Sequence, residues 1–121
     1  MTSNRRRLGN RGEALARKHL EKLGYSILET NFRCREGEID IVAREGGCLV
    51  FVEVKTRRSR TFGTPEESIT PLKQERLVQL AEAYLQEREG LPEDWRIDVV
   101  TIEMGNPRSP PDIHLIKNAV S

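Results

Sequence analysis

Asp40, Glu53 and Lys55 are the residues whose types and spacing suit chemistry best. Glu53 interrupts the apolar, β-forming run from Cys48 to Val54, a setting in which a carboxylate needs a partner. Gly37–Arg44 alternates, with Ile39, Ile41 and Ala43 on one face and Glu38, Asp40 and Val42 on the other. Cys48–Thr56 alternates too, setting Val50, Val52 and Val54 against Leu49, Phe51, Glu53 and Lys55. Gly46-Gly47 between them is a two-residue hairpin signal. With that loop, Glu45 faces Cys48, Val42 faces Phe51 and Ile41 faces Val52. Continued outward, the same register sets Asp40 against Glu53 and Glu38 against Lys55. Directly opposed residues have Cβ atoms roughly 4.5–5.5 Å apart. Two carboxylates that close are tolerated when a cation lies between them, a proton is shared, or water screens them. A Glu38–Lys55 pair alone reads as ordinary surface charge, but an acid opposite an acid is not a pairing that stability favours. Mg²⁺ prefers oxygen ligands and takes one or two carboxylates plus waters and phosphate oxygens. Lys55 shares the face of Glu53, where an amine orients or deprotonates an attacking water or offsets phosphate charge. The set suits phosphodiester hydrolysis.

The elements that must position these residues follow from periodicity. Residues 1–9 read as a flexible basic arm. A helix is expected from about Asn10 to Leu23, with Leu15, Ala16, His19, Leu20 and Leu23 as its apolar stripe and Gly24 as its stop. Asn10-x-x-Glu13 fits a helix-start capping box, which gives Glu13 a purely structural reading. Tyr25–Arg33 reads as a first strand, before the hairpin. Arg57–Ile69 reads as a loop. Thr70-Pro71 opens a second helix that runs to about Glu89 and presents Leu77, Leu80, Ala81 and Tyr84 to the core. Trp95–Ile102 and Ile113–Lys117 read as further strands. The order gives one small mixed α/β domain over residues 1–121, with a central sheet.

At 121 residues with 32% charged side chains, the chain has length for one modest core and a highly charged surface. Its net charge of +1 does not single out nucleic acid, but the distribution is bipolar. Arg5, Arg6, Arg7, Arg11, Arg17, Lys18 and Lys22 crowd the start, and Lys55, Arg57, Arg58 and Arg60 form a second run. Acids gather at Glu82, Glu87, Glu89, Glu93 and Asp94. Cys34 and Cys48 have no metal-type spacing and make no disulfide framework. No apolar run reaches membrane-spanning length. The expectation is a cytoplasmic protein with reduced thiols and no membrane partner. Arg57, Arg58 and Lys73, with Arg5, Arg6 and Arg7 from the arm, are the expected contacts to a phosphate backbone. Lys73 falls in the first turn of the second helix, where a cation opposes the helix dipole. His19, Tyr25, Tyr84 and Trp95 read as packing residues, and His114 as a lone strand histidine without metal-ligand company.

Gly37-Glu38-Ile39-Asp40-Ile41-Val42, followed by Phe51-Val52-Glu53-Val54-Lys55-Thr56-Arg57, resembles the PD-(D/E)XK nuclease superfamily. More closely, the chain resembles the YraN-type family of small bacterial proteins, related to archaeal Holliday-junction resolvases. The likeness spans nearly the whole chain and includes Gly12-Glu13-Ala14, Gly24-Tyr25, Asn31 with Arg33, Lys73, and Arg96-Ile97-Asp98-Val99-Val100. It implies a restriction-endonuclease-like αβββαβ core, with a central mixed sheet flanked by helices. It implies Mg²⁺- or Mn²⁺-dependent cleavage of nucleic acid, DNA ahead of RNA and branched or repair intermediates among the substrates. Asp40 and Glu53 would ligate the metal, Lys55 would be the catalytic lysine, and Glu13 the additional acid of the resolvase-like branch. Ile39 stands where the superfamily pattern has proline. Related resolvases work as symmetric dimers, which implies a homodimer. The other expectation is a catalytically silent nucleic-acid-binding or scaffold module of the same fold.

Overall fold

The computed structural model describes residues 2–58, 63–105 and 107–120. Helix α1 spans Thr2–Lys22, and β1 (Ser26–Cys34), β2 (Gly37–Glu45) and β3 (Cys48–Arg57) follow. A short 3-10 turn at Glu66–Ser68 leads to α2 (Pro71–Glu87), then β4 (Asp94–Glu103) and β5 (Asp112–Ile116). The strands form one five-stranded sheet in the order β1-β2-β3-β4-β5. Only β3 and β4 run parallel, joined by the α2 crossover; the other neighbours are antiparallel.

The two helices cover opposite faces. Ala16 and Leu20 of α1 pack with Ile41, Ala43, Val50, Val52 and Val100. Leu80, Ala81 and Tyr84 of α2 pack with Val42, Leu49, Phe51 and Ile97. Alternate residues of β2 and β3 thus feed alternate cores, as a period of two requires. This α/β architecture, a mixed five-stranded sheet flanked by two helices, is compatible with a restriction-endonuclease-like core and has the expected element order. Thr70 caps α2 by accepting the Lys73 amide at 3.3 Å, and Pro71 takes the first helical position. Tyr84 fixes the helix by edge contacts to Phe32 and Phe51, with centroids 4.9 and 5.4 Å apart.

Four local readings of the sequence need correction. Helix α1 begins at Thr2 rather than near Asn10, so the backbone expected as a loose arm continues the helix. Arginine and leucine are good helix formers, and extending an existing helix is easy once it is nucleated. Asn10 then lies mid-helix, and the capping-box reading of Glu13 falls. Leu23 lies outside the helix and is 49% exposed, because the chain turns away through Gly24 at φ 95°. Ile39 joins the α2-side core with Phe32, not the α1 side. It pairs with Phe32 where β2 has already left β3, and a two-stranded ribbon twists more strongly than a sheet. Arg60, and the side chains of Arg5, Arg6 and Arg7, lie outside the described part.

The second polar centre of the fold is structural. Asp98 is fully buried, and its carboxylate accepts from Tyr25 Oη at 2.8 Å, Arg96 Nε at 2.9 Å and the Asn118 amide at 2.9 Å. Arg96 also pairs with Glu45, which Lys117 holds from the other side at 3.0 Å. The network ties the start of β1, the end of β2, β4 and the segment after β5 at one end of the sheet. The Tyr25 hydroxyl is driven up by burial and by the adjoining Asp98 carboxylate, so it stays a neutral donor.

Candidate active site

The sheet forks at Asp40. The β2–β3 ladder has the expected register, from Glu45 opposite Cys48 to Ile41 opposite Val52, and stops there. The continuation that would set Asp40 against Glu53 and Glu38 against Lys55 as ladder pairs is not made. Asp40 Oδ2 instead accepts the Val54 amide at 2.8 Å. A carboxylate thus takes the place of a backbone acceptor, which keeps the Val54 N–H satisfied while the strands part. Beyond the fork β3 stays with β4 as far as Arg57–Glu103, and β2 stays with β1 as far as Gly37–Cys34.

The fork opens a cleft of about 320 Å³ on the α2 side, lined by Glu38, Asp40, Glu53, Lys55, Lys73, Arg76, Leu77 and Leu80. Asp40, Glu53 and Lys55 therefore come together as expected, and Lys73 joins them from the first turn of α2. Asp40 is pushed up to about 7, first by burial and then by its hydrogen bond with Glu53 and that group's charge. Two carboxyl groups in such contact hold a proton between them unless a cation replaces it. Lys73 is held below the usual lysine range by its contact with Lys55, then by burial, while Glu53 pulls the other way. One wall of the cleft thus pairs acid with acid, and another pairs amine with amine.

Glu13 approaches from α1. Its Oε1 accepts from Asn31 Nδ2 at 3.0 Å. Its carboxyl is raised by burial, against the Asn31 hydrogen bond, with smaller contributions from Asp40 and Glu38. Glu13 therefore senses the Asp40 charge but does not line the cleft. Asn31 holds it from a left-handed backbone conformation within β1, at φ 56°. Asparagine is the ordinary residue most tolerant of that region. Gly12 sets the approach of the helix, because a Cβ there would lie 1.9 Å from Thr56 Oγ1. Among the described residues, no three His, Cys, Asp or Glu side chains gather closely enough to hold a metal. The donor set that remains, the Asp40 and Glu53 carboxylates, is hard oxygen and fits a cation that completes its shell with water and phosphate oxygens.

Of the expected phosphate contacts, Lys73 is in the cleft. Arg57 is not free for that role, since its Nη2 pairs with Glu103 at 3.0 Å. Arg58 is exposed at the end of β3, and its carbonyl accepts the Gly105 amide at 2.9 Å. Arg76 and Leu77 were not expected in the site. Their signal was present in the i, i+3, i+4 spacing from Lys73, which puts all three on one helix face.

The comparisons with known proteins agree on one family. The sequence pattern of uncharacterised protein family UPF0102 matches residues 12–102. The chain belongs to this family. A UPF0102 protein of Caldicellulosiruptor saccharolyticus is 51% identical over 116 residues, covering 96% of this chain and 98% of the relative. One from Dehalococcoides mccartyi is 45% identical, covering 99% and 98% respectively. One from Geobacter sulfurreducens is 48% identical, covering 89% and 84%. The UPF0102 match begins at Gly12 and ends at Ile102, so it contains every residue of the cleft. No helix among the described residues is long and apolar enough to cross a membrane.

Proposed function

We propose that this UPF0102 protein is a Mg²⁺- or Mn²⁺-dependent nuclease of the PD-(D/E)XK type, akin to archaeal Holliday-junction resolvases, with DNA as its first substrate class. The observation that carries the reading is the meeting of Asp40, Glu53 and Lys55 in one cleft, at the point where the sheet forks. Asp40 and Glu53 would hold the cation, which when bound polarises the phosphate and acidifies a water. Lys55 orients that water or offsets the charge that grows on the phosphate. Lys73 grips the substrate backbone, and Glu13, held by Asn31, lends negative charge from behind.

Charge balance supports a cation. The cleft lining has three carboxylates, Glu38, Asp40 and Glu53, against three cationic side chains, Lys55, Lys73 and Arg76. A divalent cation in place of the proton shared by Asp40 and Glu53 adds net positive charge for an anionic substrate to meet. Purified protein with linear, flapped, four-way-junction and single-stranded DNA and RNA, in Mg²⁺, Mn²⁺ or EDTA, tests the proposal. Metal-dependent products establish it, and the preferred substrate names its role. The alternative is a silent nucleic-acid-binding or scaffold module, supported by the lack of a third close metal ligand among the described residues. Salt-sensitive binding with no products from any substrate would select it.

A further inference from the structure

We propose that Arg76 is the substrate clamp of the cleft, binding a backbone phosphate next to the one that Lys73 and Lys55 engage. The inference rests on the nucleic-acid reading above and adds a residue to which the sequence assigned no role.

Arg76 stands three residues beyond Lys73 on α2, so the two side chains project from the same helix face about one turn apart. Both line the cleft. The Arg76 guanidinium crosses from the helix toward the β1–β2 turn and lies over Gly37. A Cβ built at Gly37 would meet Arg76 Nη2 at 3.4 Å and Nε at 3.8 Å. Gly37 has φ 141°, a region that side-chain-bearing residues avoid, so this wall is bare for a backbone reason as well. Arg76 thus spans the cleft mouth between α2 and the forked hairpin.

Two other arginines near this end of the sheet differ. Arg57 is spent on Glu103 and Arg33 pairs with Glu38. Among the described residues no hydrogen bond or ion pair engages Arg76, although its residue is exposed and Glu38 lines the same cleft. An unengaged guanidinium over a cleft retains its planar fork of donors, and that fork matches two phosphate oxygens at once. Lysine in the same place offers a point charge without the fork. Leu77 and Leu80 line the same cleft.

The test is equilibrium binding of fluorescein-labelled four-way-junction and linear duplex DNA in Ca²⁺, across a salt series. Wild type is compared with Arg76→Ala, Arg76→Lys and Arg44→Ala, the last an exposed arginine outside the cleft. Thermal melting confirms the fold of each. Arg76→Ala is expected to weaken binding about tenfold and to lower the salt slope by about one phosphate's worth. Arg76→Lys should recover the slope but only part of the affinity, and Arg44→Ala should match wild type. Equal affinity and slope for wild type and Arg76→Ala would overturn the clamp, as would absence of DNA binding by the wild type. Binding needs no turnover, so a silent protein with an Arg76-dependent slope removes the nuclease reading and leaves the clamp standing.

Discussion

Asp40 and Val54 are joined side chain to backbone: Oδ2 of the one accepts the amide of the other at 2.8 Å, where a β-ladder would place a carbonyl. That substitution ends the β2–β3 pairing without an orphaned amide and turns a flat sheet into a cleft. It also fixes the Asp40 carboxyl against Glu53, so the element that opens the site is one of its chemical groups.

The first prediction concerns pH. The Asp40 carboxyl is raised to about 7 in the folded chain, against an ordinary value of 3.8. The folded state then binds more protons than the unfolded state between those values, so this group's contribution to stability falls as pH rises from about 4 to about 7. Asp40→Asn keeps an acceptor for Val54 and removes the charge. In EDTA at pH 8 it should melt several degrees above wild type, equivalent to roughly 1 kcal/mol or more. At pH 4 the difference should vanish. A variant no more stable than wild type at pH 8 would show that the pair carries no repulsion.

The second concerns a cation. Metal that binds only the folded chain raises its melting temperature by mass action. Mg²⁺ or Mn²⁺ at pH 8 should stabilise wild type and leave Glu53→Ala unmoved. Between pH 8 and pH 6 the wild-type shift should shrink, because the proton that Asp40 takes up competes with the metal. A shift of equal size in Glu53→Ala would place the cation elsewhere.

The third concerns helix placement. Gly12→Ala drives a methyl to 1.9 Å from Thr56 Oγ1 and 3.0 Å from its Cβ, which is impossible unless the Thr56 side chain turns and α1 and β3 yield around it. A loss of roughly 1–3 kcal/mol is expected, as for overpacking in a core. Thr56→Ala in the same chain removes the hydroxyl and should restore much of it. Chemical denaturation of the single and double variants measures the coupling.

The fourth separates stability from chemistry. Asp98→Ala strips a buried carboxylate from Tyr25, Arg96 and the Asn118 amide. Breaking a buried ion pair from one side costs roughly 3–5 kcal/mol. Melting should drop sharply, while any surviving folded fraction should keep its metal-induced shift, since Asp98 shares the sheet face of Val52 and Val100, on the α1 side, and the cleft opens on the α2 side.

Much of this was legible in the residues alone. Period-two alternation gave β2 and β3, and Gly46-Gly47 gave their register as far as Ile41–Val52. Thr70 and Pro71 marked the start of α2. What escaped was decided by contacts that no local pattern encodes. The fork depends on a side chain replacing a carbonyl, which breaks the rule that a register continues. The engagement of Arg57 depends on Glu103, 46 residues away. The role of Asn31 depends on a backbone twist inside a strand that reads as regular. Asp98 and Arg96 carried a resemblance, but only the fold shows that they hold Tyr25 and Asn118.

The most direct measurement is the single-turnover rate of cleavage of the best DNA substrate by wild type in Mg²⁺, by wild type in EDTA, and by Glu53→Ala in Mg²⁺. Melting curves serve as the control for folding. The account predicts cleavage for the first alone, with the variant slower by about 10²–10³ or more, the scale on which loss of a key electrostatic group acts. Equal rates for wild type and a folded Glu53→Ala protein would contradict it, as would cleavage that persists in EDTA.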